Sequence, residues 1–183
     1  MLKPLLLCAL LACGLQAAAQ VSPLPVDSIT HKVTYQGVVQ VPGASQAELY
    51  SRAREWFATT FGSAKAVLEM DDREAGKLIG NANGIYYQRF MRKDVETTLW
   101  RTINVQVKEG RFRYQITNFA TGIGVSQDKA YPVELGFIPA SYDKSGNLKP
   151  YMASMYDGVR KSAEAQVASL RDAMTKPAQK ADW

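Results

Sequence analysis

The stretch Val95-Glu96-Thr97-Thr98-Leu99-Trp100-Arg101-Thr102-Ile103-Asn104-Val105-Gln106-Val107-Lys108-Glu109-Gly110-Arg111-Phe112-Arg113-Tyr114-Gln115-Ile116-Thr117-Asn118-Phe119 decides the fold. Two runs of alternating character, Val95–Val107 and Arg111–Phe119, flank Glu109-Gly110, and a two-residue connection ending in glycine marks a β-hairpin. The turn sets the register. Val107 faces Phe112, Val105 faces Tyr114 and Ile103 faces Ile116, all on one side. On the other side Gln106 meets Arg113, Asn104 meets Gln115, Thr102 meets Thr117 and Trp100 meets Phe119. Side chains alternate with period two, so one face is predicted to be core and the other hydrophilic, with an aromatic pair at its far end.

Working outward, Lys32–Val41 reads as a strand with a bulge at Gly37 and a stop at Pro42-Gly43. Ser45-Gln46-Ala47-Glu48 is a capping box, and behind it Leu49, Ala53, Trp56, Phe57 and Phe61 recur at helical spacing up to Gly62. Lys65–Met70 reads as a short strand, Asp71–Gly76 as a polar turn and Lys77–Ala82 as a further strand. Asn81-Ala82-Asn83-Gly84 predicts a break or bulge before Ile85–Met91. Ala120–Met152 is rich in glycine and proline, with Tyr131–Phe137 as a candidate edge strand. From Ala153, Tyr156, Val159, Ala163, Val167, Leu170 and Met174 form one helical stripe that Pro177 ends. The order is β-α-β-β-β-β-α. It implies an α+β fold, an antiparallel β-sheet with two helices on one face.

The chain has 183 residues, 46% hydrophobic and 21% charged, an ordinary globular mixture. Residues 1–20 read as an export signal: Lys3 is the positive start, Leu5–Leu15 an apolar run too short to span a bilayer, and Ala17-Ala18-Ala19 a cleavage site. Leu10-Leu11-Ala12-Cys13-Gly14 also resembles a lipobox, which would place a lipid anchor at Cys13; the Ala-x-Ala site favours cleavage and release instead. The expected organisation is therefore a signal at 1–20, an extended lead-in at 21–31, one α+β domain at 32–176 and a flexible tail at 177–183. The product is expected to be periplasmic or secreted, without a transmembrane span. Both cysteines, Cys8 and Cys13, lie inside the signal, leaving no disulfide, thiol nucleophile or cysteine metal site beyond it.

Leu24-Pro25-Val26-Asp27, Val39-Gln40-Val41-Pro42-Gly43-Ala44-Ser45, Glu48-Leu49-Tyr50 and Glu55-Trp56-Phe57 together resemble a bacterial exported family of unknown function described as having a TBP-like fold, after the TATA-binding protein. Asp72-Arg73-Glu74-Ala75-Gly76-Lys77-Leu78-Ile79-Gly80 and Arg113–Phe119 match its later blocks, so the resemblance covers about residues 24–120. It implies the fold and no activity, because a fold hosts many functions.

The residues offer little chemistry. His31 is the sole histidine and lacks partners for a triad or a zinc site, so it reads as a turn or strand-edge residue. Asp71, Asp72 and Glu74 cluster beside Arg73 and Lys77, which reads as a solvated turn rather than a calcium site. Asp143–Asn147 reads as a β-turn. No phosphate-binding loop or nucleophile elbow is present, so no cofactor and no enzyme activity are expected. A net charge of +5, spread without blocks, is weak support for nucleic acid as a partner, and none is expected. The expected function is a non-enzymatic binding module acting through the open sheet face: Trp100, Thr102, Asn104, Gln106, Arg113, Gln115, Thr117 and Phe119. Its partner would be another exported protein, a peptide or a glycan. The alternative is a small-ligand carrier with an apolar cavity lined by Tyr35, Trp56, Ile103, Phe112, Tyr114 and Tyr156.

Overall fold

The structure, a computed structural model, describes residues 24–176. The expected signal with Cys8 and Cys13, and the expected tail, lie outside the described residues. Of the expected lead-in, residues 24–31 are described: Val26 bridges Val33 and Asp27 organises a turn through His31. His31 occupies that turn at φ 56°, exposed to solvent.

Six strands form one antiparallel sheet: β1 (Tyr35–Gln40), β2 (Leu68–Asp72), β3 (Lys77–Phe90), β4 (Lys93–Lys108), β5 (Arg111–Gly122) and β6 (Tyr131–Pro132). Their spatial order is β1-β5-β4-β3-β2, with β6 pairing the end of β5. Helices α1 (Gln46–Phe61) and α3 (Pro150–Thr175) cover one face, and α2 (Ala64–Val67) is a single turn. Ile103, Val105, Val107, Phe112, Ile116 and Leu78 point from the strands into a core shared with Leu49, Phe57, Tyr156, Val159 and Leu170 of the helices. Each such large apolar side chain contributes about 1.5–3 kcal/mol on full burial, which makes this one face the source of cohesion.

Helix α1 starts where the sequence predicts: Ser45 Oγ accepts the Glu48 amide at 3.2 Å, and Gly62 closes the helix at φ 75°. The box is only half formed, since Glu48 turns to pair with Arg52 and Glu109 Oε2 accepts the Gln46 amide instead. Lys65–Val67 is helical rather than extended, because Ser63 Oγ caps it by accepting from Ala66 N at 3.3 Å. β3 runs unbroken through Asn81–Gly84, paired to β4 along its whole length. β1 also pairs with β5 without a bulge. Gly37 lies opposite Tyr114, where a Cβ would stand 2.9 Å from the Tyr114 hydroxyl, so its role is to make room for that ring. The expected edge strand at Tyr131–Phe137 shrinks to two residues, and Val133–Gly136 coils into a 3-10 turn that buries Val133. α3 begins three residues earlier than the stripe suggests, with Pro150 in its first turn, and adds Met152 and Gln166 to its buried side.

The hairpin register holds from Lys108–Arg111 to Thr102–Thr117 and then slips by one. Trp100 sits opposite Ala120 and Leu99 opposite Thr121. The extra residue on β5 is accommodated at Asn118, whose φ of 55° is left-handed, a conformation asparagine tolerates better than most side chains. This bulge turns Phe119 to the helix side. There it is 1% exposed and packs edge-on against Tyr35 at a ring separation of 5.8 Å. The expected Trp100–Phe119 pair is therefore not formed.

Candidate functional site

On the face away from the helices, Thr102, Asn104 and Gln106 of β4 stand beside Arg113, Gln115 and Thr117 of β5, as the turn predicts. Thr102 Oγ1 donates to Asn81 Oδ1 at 2.8 Å and accepts from Asn118 Nδ2 at 3.2 Å. Thr117 Oγ1 donates to the Val33 carbonyl at 3.1 Å, which ties the lead-in to the sheet. Asn104, Gln106, Arg113 and Gln115 enclose a depression of about 120 Å³, and Asn104 Oδ1 within it has no hydrogen-bond partner. Strand alternation adds Lys108 and Arg111 to the same face, and no carboxylate stands on it between Trp100 and Lys108 or between Arg111 and Thr117.

Two expected members of this face are displaced. Phe119 lies on the opposite side because of the Asn118 bulge. Trp100 keeps its side but is only 8% exposed, so it is not a free aromatic anchor. Nearby, the chain after β5 folds back so that the Val125 side chain rests where a Cβ of Gly122 would project, two residues along the face from Trp100.

On the helix side, Trp56, Ile103, Phe112 and Tyr156 are packed into the core. Tyr35 and Tyr114 do border a cleft of about 400 Å³ between β1 and α3, together with Glu164, Val167 and Arg171. The Tyr35 hydroxyl has no partner, and burial first, then the Glu164 charge, pushes its pKa up to about 12.

A larger cleft of about 610 Å³ opens between α3, the end of α1 and the part of β3 beyond its pairing with β2. Its floor holds Arg101, 7% exposed among the helix-facing residues Leu99 and Ile103. The sequence signal for this residue is its place in the alternation: every other odd position from Leu99 to Val107 is aliphatic, so a charge there must be buried. Reading the hairpin only for its polar face misses it.

The acidic segment serves the fold. Asp71 lies in β2 rather than in the following turn, and it accepts hydrogen bonds from Tyr50 and from Arg54 Nε, the latter at 2.9 Å. Burial works against the Asp71 charge, but those hydrogen bonds prevail and hold its carboxyl below the usual carboxylate range. Burial and the Asp71 bond in turn push the Tyr50 phenol up to about 12. Asp143 Oδ1 accepts the amides of Ser145 and Asn147, closing a tight turn. Among the described residues, no group of three or more His, Cys, Asp or Glu side chains is placed to hold a metal ion. No described helix is long and apolar enough to cross a membrane.

No curated protein matches the sequence. Among solved structures, a DUF4468 family protein from Bacteroides ovatus superposes with a TM-score of 0.68 at 17% identity, over 87% of this chain and 95% of that one. A TBP-like protein from Parabacteroides distasonis gives 0.62 at 14% identity, over 84% and 97%. These likenesses establish the α+β, TBP-like fold. A family model described as a domain of unknown function (DUF4468) with TBP-like fold matches residues 35–121, from the first residue of β1 almost to the end of β5. That part of the chain, the sheet with its first helix, is similar to the DUF4468 family.

Proposed function

We propose that the protein is a non-catalytic binding module, exported by residues 1–20, that docks an acidic, hydrogen-bonding partner on the uncovered face of its sheet. One observation carries this reading: Lys108, Arg111 and Arg113 share that face with the amides of Asn104, Gln106 and Gln115, and neither β4 nor β5 places a carboxylate among them. Such a surface offers donors in excess of acceptors, and its charge favours encounter with an acidic peptide segment of another exported protein. With Phe119 turned inward and Trp100 covered, hydrogen bonds and charge replace aromatic anchoring.

The test is a titration of the protein with a short alternating Glu-Ser peptide, followed by NMR of the side-chain amides. The expected result is a shift of the Asn104, Gln106 and Gln115 signals that fades as salt is added and is absent from the Arg111→Glu/Arg113→Glu variant. A salt-independent response, or one that survives the charge reversal, overturns the reading.

A further inference from the structure

The helix side of the sheet carries a separate feature, a buried cation with no counter-charge among the described residues. Arg101 Nη1 donates to Ser162 Oγ of α3 at 2.8 Å. Its Nε is buried with no partner, and its Nη2 lies over Gly84, where a Cβ would stand 2.9 Å away. Among the described residues no carboxylate forms an ion pair with it: Asp157, the acid that lines the cleft, is engaged by Lys161 at 2.7 Å and by Arg160. Burial alone lowers the Arg101 pKa to about 10, which leaves it charged at neutral pH. Withdrawing a charge from water without a partner is strongly unfavourable, and folded proteins offset that penalty with a counter-ion.

The surroundings resemble a binding site in chemistry as well as in shape. Gln166 of α3, 6% exposed, also borders the cleft, and its Oε1 has no partner. Ser162 and Ser169 add hydroxyls. Phe61 at the end of α1, the Tyr86 ring of β3 and the exposed Ala165 of α3 supply an apolar lining. Even the approach is cleared by small residues: Gly84 leaves space for the guanidinium, and Gly158 lets α3 settle against the Tyr86 ring. A volume of about 610 Å³ falls in the range that holds small organic molecules rather than a bare ion.

We propose that this cleft binds a small organic carboxylate, its anionic head on Arg101 beside Ser162 and Gln166 and its apolar body along Phe61, Tyr86 and Ala165. The guanidinium fork matches a carboxylate better than a point charge would, and the low exposure around it strengthens the bond. This site lies across the sheet from the proposed docking face and does not depend on it.

Isothermal titration of the full chain with phenylacetate, phenylacetamide and inorganic sulfate tests the proposal. Phenylacetate is expected to bind, the isosteric neutral amide and sulfate each at least about tenfold more weakly. Arg101→Met is expected to abolish phenylacetate binding, and Arg101→Lys to weaken it about tenfold because the fork is lost. The fold has its own readout. Arg101→Met removes an unpaired buried charge, so its Tm is expected to equal or exceed that of the parent. Failure of phenylacetate to bind overturns the proposal, as does equal binding of the amide, of sulfate or of the Arg101→Met protein. Should Arg101→Met prove unstable, Ala165→Asp, which alters only the exposed rim of the cleft, is expected to weaken phenylacetate at least about tenfold through charge repulsion; unchanged affinity there contradicts the assignment.

Discussion

Arg101 Nη1 and Ser162 Oγ meet at 2.8 Å across the interface between β4 and α3, and this is the single hydrogen bond the buried guanidinium makes among the described residues. The contact joins the middle of the sheet to the middle of the longest helix. It makes α3 a reporter of what happens to Arg101.

Ser162→Ala is therefore expected to destabilise the protein by about 1.5–3 kcal/mol, the usual cost of losing a hydrogen bond to a charged group. The effect is expected to disappear when Arg101 is already methionine. Urea denaturation of the single and double variants measures both, and additive losses would show that Ser162 acts through something other than Arg101.

Asn118 controls which way Phe119 faces. Asn118→Gly is expected to be nearly neutral, since glycine adopts φ 55° freely, whereas Asn118→Val is expected to cost about 1–3 kcal/mol from backbone strain. Equal stability of the two variants in urea would mean that the left-handed bulge is not what turns the strand.

The reach of the sequence is clear at this same hairpin. Glu109-Gly110 and the alternation behind it foretell every pair as far as Thr102–Thr117. Beyond that point the register depends on whether one asparagine goes left-handed, and side-chain alternation carries no record of that choice. Gly37 and Gly84 read as bends in sequence, yet they are sites where Tyr114 and Arg101 come close to the strand. Ser63 acts as a helix cap only because the chain turns there, which makes Lys65–Val67 helical against its β character. The polar face was legible because alternation alone defines it. The Arg101 cleft needed the position of α3, and only the misplaced charge at an odd position hinted at it.

Gly158→Ala runs against the usual helical gain of about 1 kcal/mol for replacing glycine. A methyl there would press into the Tyr86 ring, whose hydroxyl is fixed by Thr121 at 2.9 Å and Gln88 at 3.0 Å. The expected outcome is a net loss of about 1–3 kcal/mol from overpacking, read as a lower Tm. A higher Tm would show that α3 can ride away from the sheet.

The folded state favours the neutral form of Tyr35 and Tyr50, whose pKa values rise from 10.0 to about 12. Their contribution is fully present below pH 10.0 and is lost as pH climbs through about 12. Asp71 acts in the opposite sense: its carboxyl is lowered from 3.8, so its contribution is present above that value and disappears in stronger acid. Melting curves across pH are expected to show both shoulders, and Tyr50→Phe is expected to reduce each. An alkaline shoulder beginning below pH 10.0 would contradict these assignments.

The central claim, that the hairpin divides a helix-covered face from an open hydrophilic one and that Asn118 moves Phe119 across the divide, has a direct chemical test. Cys8 and Cys13 are the two cysteines of the chain, so replacing both by alanine gives a background for single-cysteine labelling. The deciding measurement is the maleimide reaction rate of Gln106→Cys, Gln115→Cys and Phe119→Cys in the folded protein, each relative to its unfolded rate. The account predicts near-unfolded rates at 106 and 115 and strong protection at 119. Protection at 106 and 115, or rapid reaction at 119, would contradict it.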